Sequence, residues 1–377
     1  MGRSYGVLGP YPPTRDGVAN YVHMLVRSLV PPGSPDRVGI LRVMDGAIGT
    51  TGPGVVGCMH AQSRSSASAA AAALNSFDIA LLQHTFDGYG ARDGAQTLAV
   101  LDQLRVPAVT VLHTVWTDPS THQRDVICRL AAASDAVVVL SSAARQTLID
   151  RYRVDPSHVR VIRHAGLART SGPLSLRSGR PLVLTWGLLT PDKGVEHAID
   201  GLGNLRGVRP MPAYILAGRT HPRVAALHGE TYRQALIQRA RCVGMGNTFR
   251  SVGTYVDDAA LAVLVGRADV IVLPYHCRQQ TSSPVLVEAL AAAKPVVATH
   301  FPHAVELLSG GAGLLVPHGD GPAIGDALRR VLTEDGLSDR MAAQAAREGP
   351  QSWADAAQHF RDLCTEVLAR PRCRAAG

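Results

Sequence analysis

The sequence predicts an α/β protein made of two doubly wound, parallel-sheet domains. Three observations carry this expectation. Short apolar runs alternate with segments of helical period along the chain, the pattern of a parallel sheet covered by helices. The alternation proceeds to about residue 165, breaks in a stretch rich in Ser, Gly, Pro, Leu and Arg, and then restarts. The chain has 377 residues, more than one core usually holds.

The elements follow in order. "SYGVLG" reads as the first strand, and "GVANYVHMLVRSLV" as a helix with Val18, Tyr21, Val22, Leu25, Val26 and Leu29 on one face. "SRSSASAAAAAL" (Ser63–Leu74) looks low in complexity but reads as an Ala-rich helix. "FDIALLQH" and "VPAVTVLHT" are buried strands that end in polar residues. "DAVVVLS" is another, followed by the helix "SAARQTLIDRY", and "VRVIRH" closes the first half. The linker is placed at Gly166–Pro181. "LVLTWG" then opens the second half, and "PDKGVEHAIDGL" is its first helix, with Val195, Ala198, Ile199 and Leu202 in register. "PAYILAG", "VIVLPY", "PVVATH" and "AGLLVPH" are further strands, and "SWADAAQHFRDLCTEVLA" is a final helix. No solenoid-type repeat is present.

Composition narrows the function. Hydrophobic residues make up 46% and charged residues 18%, a globular balance. The net charge of +8 favours anionic partners such as nucleotide phosphates. Nucleic acid is disfavoured, because the arginines are scattered and aromatics are only 5%. No strongly amphipathic basic helix stands out, so peripheral membrane contact ranks below a soluble acceptor. The cysteines (Cys58, Cys128, Cys242, Cys277, Cys364 and Cys373) form no CxxC pair and read as free thiols in a reducing cytosol. "YGVLGPYPP" is too short and proline-broken for a signal peptide or membrane span, so a cytoplasmic protein is expected.

Ligands of open parallel sheets bind beyond the carboxyl ends of the strands, so the loops there matter most. In "GPYPPTRDGVANY", Asp16 reads as a helix cap, and Gly17 lets backbone approach a ligand at a helix N-terminus that can hold phosphate. No GxGxxG fingerprint is present, which argues against a classical NAD site. In "GLLTPDKGVEHAI", Thr190 reads as an N-cap and Pro191 as the first helical turn. Lys193 then sits at the positive end of a helix, which makes sense if an anion shares the site; an exposed lysine on a solvated face is the plain alternative. His84, His113 and His164 end strands, where a histidine is more often structural than catalytic. In "SSPVLVEAL", Ser283 caps a helix whose core stripe is Val285, Leu286, Ala289 and Leu290. Glu288 lies two turns down and needs partners, either ribose hydroxyls or an internal arginine. There is no DxD motif, no His/Cys cluster with metal-ligand spacing and no nucleophile elbow, and Asp257-Asp258 reads as a helix cap. No metal is expected.

Together these loops resemble the family 4 (group 1) glycosyltransferases of GT-B fold. The resemblance covers nearly the whole chain through "YPPTRDGVANYV", "LLQHTFDGYGARDG", "VTVLHT", "VVVLSSAARQTL", "WGLLTPDKGVEHAI", "AGRTHP" with "GETYRQAL", "ADVIVLPY" and "VLVEALAAAKPVVATHFPHAVELL". It implies two Rossmann-like domains facing a cleft: an acceptor domain over 1–170, a donor domain over 171–352, and a helix over 353–377 that crosses back to the first. It further implies retaining, metal-independent transfer of a hexose from a nucleotide sugar, GDP- or UDP-linked, with no other cofactor. The acceptor is open: a sugar, glycoside, natural product or lipid-linked glycan. Carried over by position, Gly17 faces the donor phosphates, and Gly187 and Lys193 lie at the diphosphate. Ser283 and Val285 offer backbone groups to it, Glu288 binds the ribose, and His113 lies near the transferred sugar. Two departures stand out. The arginine that usually precedes the phosphate lysine is Leu188 here, with Arg219 a candidate substitute. The first acid of the E-x7-E pattern is Gln280, on the sugar side. The alternatives are a nucleotide-sugar epimerase or pseudo-glycosyltransferase on the same fold, or a binding protein without turnover.

Overall fold

The computed structural model describes residues 2–44, 52–166, 179–205 and 208–370. They form two compact units. Unit 1 comprises Met1–His164 with Gln351–Gly377, and unit 2 comprises Ala165–Pro350. Most of the Gly166–Pro181 stretch, the expected linker, lies outside the described residues, as does Cys373.

Unit 1 holds β1 (Ser4–Gly9), β2 (Arg37–Met44), β3 (Val55–His60), β4 (Ile79–His84), β5 (Ala108–Leu112), β6 (Ala136–Val139) and β7 (Val159–Val161). They form one parallel sheet in the order β3-β2-β1-β4-β5-β6-β7. Unit 2 holds β8 (Leu182–Trp186), β9 (Ala213–Ala217), β10 (Phe249–Val252), β11 (Val270–Leu273), β12 (Val296–Thr299) and β13 (Gly313–Val316), parallel in the order β10-β9-β8-β11-β12-β13. The expected pair of doubly wound parallel sheets is therefore present. In each, the strand order reverses once, between β1 and β4 and between β8 and β11. Such switch points open crevices at the carboxyl edge.

The helices obey local rules. In helix Gly17–Leu29, Ala19, Tyr21, Val22, Leu25, Val26 and Leu29 are buried, and Asp16 accepts from the Ala19 N–H at 2.7 Å. Helix Arg64–Leu74 buries Ala67, Ala70, Ala71 and Leu74, small side chains that let it lie close to the sheet, with Ser63 as its cap. Helix Trp353–Ala369 belongs to unit 1. Its Arg361 Nη1 donates to the carbonyls of Ser28 and Leu29, both at 3.1 Å, closing the C-terminus of helix Gly17–Leu29.

Three expectations need correction. "PDKGVEHAIDGL" is not one helix: Pro191–Lys193 is a single 3₁₀ turn, and the α-helix starts at Val195. Gly194 separates them at φ 59, and a Cβ there would lie 2.1 Å from the Pro274 carbonyl oxygen, so close packing forces the break. Thr190 accordingly makes no side-chain cap bond. "SAARQTLIDRY" is α-helical only over Ser142–Thr147, and Leu148–Tyr152 widens into a π-turn whose Tyr152 hydroxyl donates to the Trp116 carbonyl at 3.0 Å. Strands β2, β3 and β10 were not expected. β2 carries Arg37 and Arg42, β3 has exposed positions at Val56 and His60, and β10 is only "FRSV". Among the described residues no helix is long and apolar enough to cross a membrane.

Candidate functional site

The best-assembled site lies in unit 2, at the switch between β8 and β11. β8 ends at Trp186, and Gly187 follows at φ 111, a conformation that favours glycine. A Cβ placed on Gly187 would lie 3.7 Å from Val285 Cγ2 and 4.0 Å from Lys193 Nζ. Two segments distant in sequence thus converge on one spot. Lys193 Nζ donates to the Tyr275 hydroxyl at 3.0 Å and stands 4.1 Å from the centroid of that ring. Tyr275 is buried and stacks on Phe301 at 5.2 Å. The ammonium is held in place, yet among the described residues no carboxylate pairs with it. The His276 N–H donates to the Asp192 carbonyl at 2.9 Å, tying the two switch-point loops together.

Glu288 is half-buried and finds neither an arginine nor water-exposed surroundings: the Trp186 indole Nε1 donates to its Oε2 at 3.1 Å. Burial pushes its carboxyl up to about 7, the indole hydrogen bond opposes the rise, and Asp258 adds to it. Ser283 caps its helix, its Oγ accepting from the Leu286 N–H at 3.4 Å. Its own N–H donates to His303 Nδ1 at 2.9 Å. That buried donor is therefore already taken, and of the two backbone groups expected to face an anion, Ser283 and Val285, the Val285 N–H alone lacks a partner among the described residues. Gln280 turns back on its own loop, with Nε2 donating to the Ser282 carbonyl at 3.0 Å.

Arg219 follows Gly218, whose φ is 133 and whose hypothetical Cβ would lie 2.2 Å from the Gly187 carbonyl oxygen. The Leu189 N–H donates to the Arg219 carbonyl at 2.9 Å, so the Arg219 loop is laced to the Gly187 loop. Arg233 holds it from behind. That guanidinium is 7% exposed and donates to the Gly218 carbonyl (2.8 Å), Thr220 Oγ1 (3.2 Å), Ser251 Oγ (2.7 Å) and Glu230 (2.8 Å). Sequence reasoning missed Arg233, Tyr275 and Trp186. Each lies inside a segment that was singled out, but only the fold shows that they point to one place. A further trio was missed for the same reason. The ligand atoms of Glu196, His197 and His276 lie within 4.8 Å of one another, a set able to hold a metal ion. Glu196 already accepts from His276 Nε2 at 2.9 Å and from the Tyr232 hydroxyl, so the group is satisfied as it stands.

In unit 1, Gly17 is exposed, and a Cβ there would meet no atom within 4 Å. His113 follows β5. Its Nε2 meets Gln83 Oε1 at 2.9 Å, and its ring packs edge-on to Tyr21 at 4.8 Å. His164 and Trp353 pack on the same Tyr21 ring, at 5.2 and 5.1 Å. Burial, then His164 and His84, push the His113 imidazole down to about 3. It is a neutral hydrogen-bonding group at pH 7, not a proton donor. His84 is fully buried, with Nδ1 3.3 Å from Thr97 Oγ1, and burial pushes it to about 3 as well. It is a core histidine.

Comparison with known proteins identifies the family and the fold. The profile for "Glycosyltransferase Family 4" matches residues 15–165, and that for "Glycosyl transferases group 1" matches residues 180–334. A glycogen synthase of Mycobacterium tuberculosis is 28% identical over 223 residues, 58% of this chain and 50% of that protein. A phosphatidyl-myo-inositol mannosyltransferase of Mycobacterium leprae is 38% identical over 109 residues, 29% of each chain. These matches span half or less of the relatives' own lengths. The crystal structure of Anabaena HepE in complex with UDP and glucose superposes with a TM-score of 0.77 at 18% identity, covering 96% of this chain and 99% of that one, which establishes the shared fold. Matched in tandem by the two profiles over both of its units, the chain belongs to the group 1, family 4 glycosyltransferases.

Proposed function

We infer that the protein transfers a hexose from a nucleoside diphosphate sugar to an acceptor hydroxyl, with retention of anomeric configuration and without a metal ion. The observation that carries this reading is the convergence of Gly187, Lys193 and the Val285 N–H at the switch point of unit 2. Gly187 leaves room for a ligand, Lys193 brings a cation without a carboxylate partner, and Val285 offers a free N–H at a helix N-terminus. That is the equipment for a departing diphosphate, and catalysis would rest on stabilising its charge and on positioning. Glu288 lies one turn further along the same helix, an acceptor for ribose hydroxyls. Arg219 supports the same anion in place of the arginine missing at Leu188, and Gln280 lies on the sugar side.

Among the relatives, one is named a mannosyltransferase and one a glycogen synthase, and HepE was crystallised with UDP and glucose. These support GDP-mannose or a UDP-hexose as donor. The cysteines of the described residues are free thiols, which supports a reducing, cytoplasmic setting. The test is incubation with a panel of GDP- and UDP-sugars and candidate acceptors in the presence of EDTA, with the product anomer read by NMR. A retained anomer with undiminished rate in EDTA is expected, and Lys193→Ala should lower affinity for UDP or GDP by roughly 1.5–3 kcal/mol but hardly alter that for the bare nucleoside. An inverted product or an epimerised donor would sink the reading.

A further inference from the structure

Arg42 stands on β2 opposite Gly9 of β1, at the carboxyl edge of the first sheet. It is 7% exposed. Its Nη2 donates to Thr14 Oγ1 at 3.0 Å, while Nε and Nη1 are buried with no hydrogen-bond partner. Among the described residues no carboxylate pairs with it. A guanidinium cannot shed its proton, so it cannot escape the cost of burial by becoming neutral. A buried charge is ordinarily paired, and an uncompensated one is among the most unfavourable arrangements a fold can keep. The fold shows the ordinary solution in Arg233, which is equally buried and fully engaged.

The placement of Arg42 says what is missing. Thr14 lies two residues before Asp16, the cap of helix Gly17–Leu29, so the guanidinium abuts the loop leading into a helix N-terminus, where anions are favoured. The carboxyl edge of an open parallel sheet is also where ligands bind. A neutral hydroxyl would satisfy an N–H but leave the charge uncompensated. A carboxylate or phosphate satisfies both.

We propose that Arg42 and Thr14 form the receptor for an anionic group, phosphate or carboxylate, carried by the acceptor. This rests on the transferase reading above. The donor diphosphate has its own cation in Lys193 of the other unit, which leaves the acceptor as the source of the second anion.

The test uses the full-length protein and measures binding and melting rather than turnover, so it stands apart from the product analysis that tests the transferase reading. Inorganic phosphate and acetate, each against chloride at equal ionic strength, report the receptor alone. The Lys193→Ala background removes the donor-side cation, and Arg42→Met removes the charge while keeping similar bulk. In the Lys193→Ala background, phosphate or acetate should still raise the melting temperature, and Arg42→Met should abolish at least half of that rise. Without added anion, Arg42→Met should melt no lower than its parent, because it removes an uncompensated charge. Affinity for UDP or GDP in the Lys193-intact protein should change less than twofold. A response to phosphate but not acetate points to phosphate as the group received, a response to acetate points to a carboxylate, and no response to either in the Lys193→Ala background overturns the proposal. Arg42→Met melting well below its parent with the anion response intact would make Arg42 a structural residue and overturn the proposal. A tenfold loss of UDP or GDP affinity would reassign the anion to the donor and overturn it equally.

Discussion

Arg42 and Arg233 are equally buried, each 7% exposed behind the carboxyl edge of its own sheet, and they are treated in opposite ways. Arg233 donates to four different residues of unit 2 and fixes the loop that carries Arg219. Arg42 has one hydroxyl and two unmet nitrogens. The contrast extends around each residue. In unit 2 three candidate side chains already have internal partners: Lys193 has Tyr275, Glu288 has Trp186, and Gln280 has Ser282. In unit 1 the Tyr21 hydroxyl, Gln83 Nε2 and His84 Nε2 are buried without partners. The difference teaches that equal burial need not mean equal satisfaction: Arg233 is spent on holding a loop, whereas Arg42 keeps two nitrogens unengaged.

The sharpest way to break this comparison is to remove the satisfied arginine. Arg233→Met leaves the Gly218 carbonyl, Thr220 and Ser251 without their shared donor. We expect a loss of roughly 2–4 kcal/mol in unfolding free energy, read from urea denaturation, because several buried hydrogen bonds go at once. Arg219 loses its support too, so affinity for nucleoside diphosphate should fall with stability. If Arg233→Met costs no more than Arg42→Met, burial alone governs both sites, and the distinction between satisfied and unmet cations fails.

A second prediction uses pH. Burial raises the Glu288 carboxyl from 4.5 to about 7, so the folded protein holds a proton there that the unfolded chain releases. Its stabilising effect is complete below pH 4.5 and is lost as pH rises through 7. Relative to Glu288→Gln, the wild type should therefore lose stability across that window, by about 1–2 kcal/mol given its partial exposure. Two hydroxyl donors from a ribose favour the ionised form, so nucleoside affinity should rise with pH through the same range in the wild type and stay flat in Glu288→Gln. A flat difference in stability between pH 5 and 8 would show that the carboxyl is not perturbed.

How much of this was legible beforehand follows from the range of each signal. Strands buried on both faces, such as "IALLQH" and "AVTVL", announce themselves because no polar residue interrupts them until their ends. β2 did not, because Arg42 sits in it, and Arg42 makes sense only once Thr14 lies beside it. Most cap residues were readable, since Asp16, Asp257 and Ser283 act within three positions of themselves, and Thr190 alone makes no cap bond. The convergence of Gly187, Lys193 and Val285 was reachable only by resemblance, and the Trp186–Glu288 and Lys193–Tyr275 pairs were out of reach, because 102 and 82 residues separate the partners. His113 was legible as a position but not as a neutral group, since its environment comes from Gln83, Tyr21 and His164.

The smallest effect should come from Gln280, and it is the most informative about specificity. Its Nε2 is engaged only with the Ser282 carbonyl of its own loop, next to the helix that carries Val285 and Glu288. An amide both donates and accepts, so it can hold sugar hydroxyls, but it cannot stabilise developing positive charge as a carboxylate can. Gln280→Ala removes one neutral hydrogen bond within its own loop, so UDP or GDP affinity should change by less than about 0.5 kcal/mol, while turnover or the choice of donor sugar shifts. Gln280→Glu restores the acid that the resemblance leads one to expect. It should keep nucleoside diphosphate affinity and change transfer alone, raising the rate if the amide is a handicap and lowering it if the donor sugar needs the N–H. Calorimetry on the free nucleotide and initial rates on the full donor separate these outcomes. Should Gln280→Ala abolish nucleotide binding while Glu288→Gln leaves it untouched, the two positions have been assigned the wrong way round, and the self-contained donor site of unit 2 must be redrawn with the sugar at Glu288.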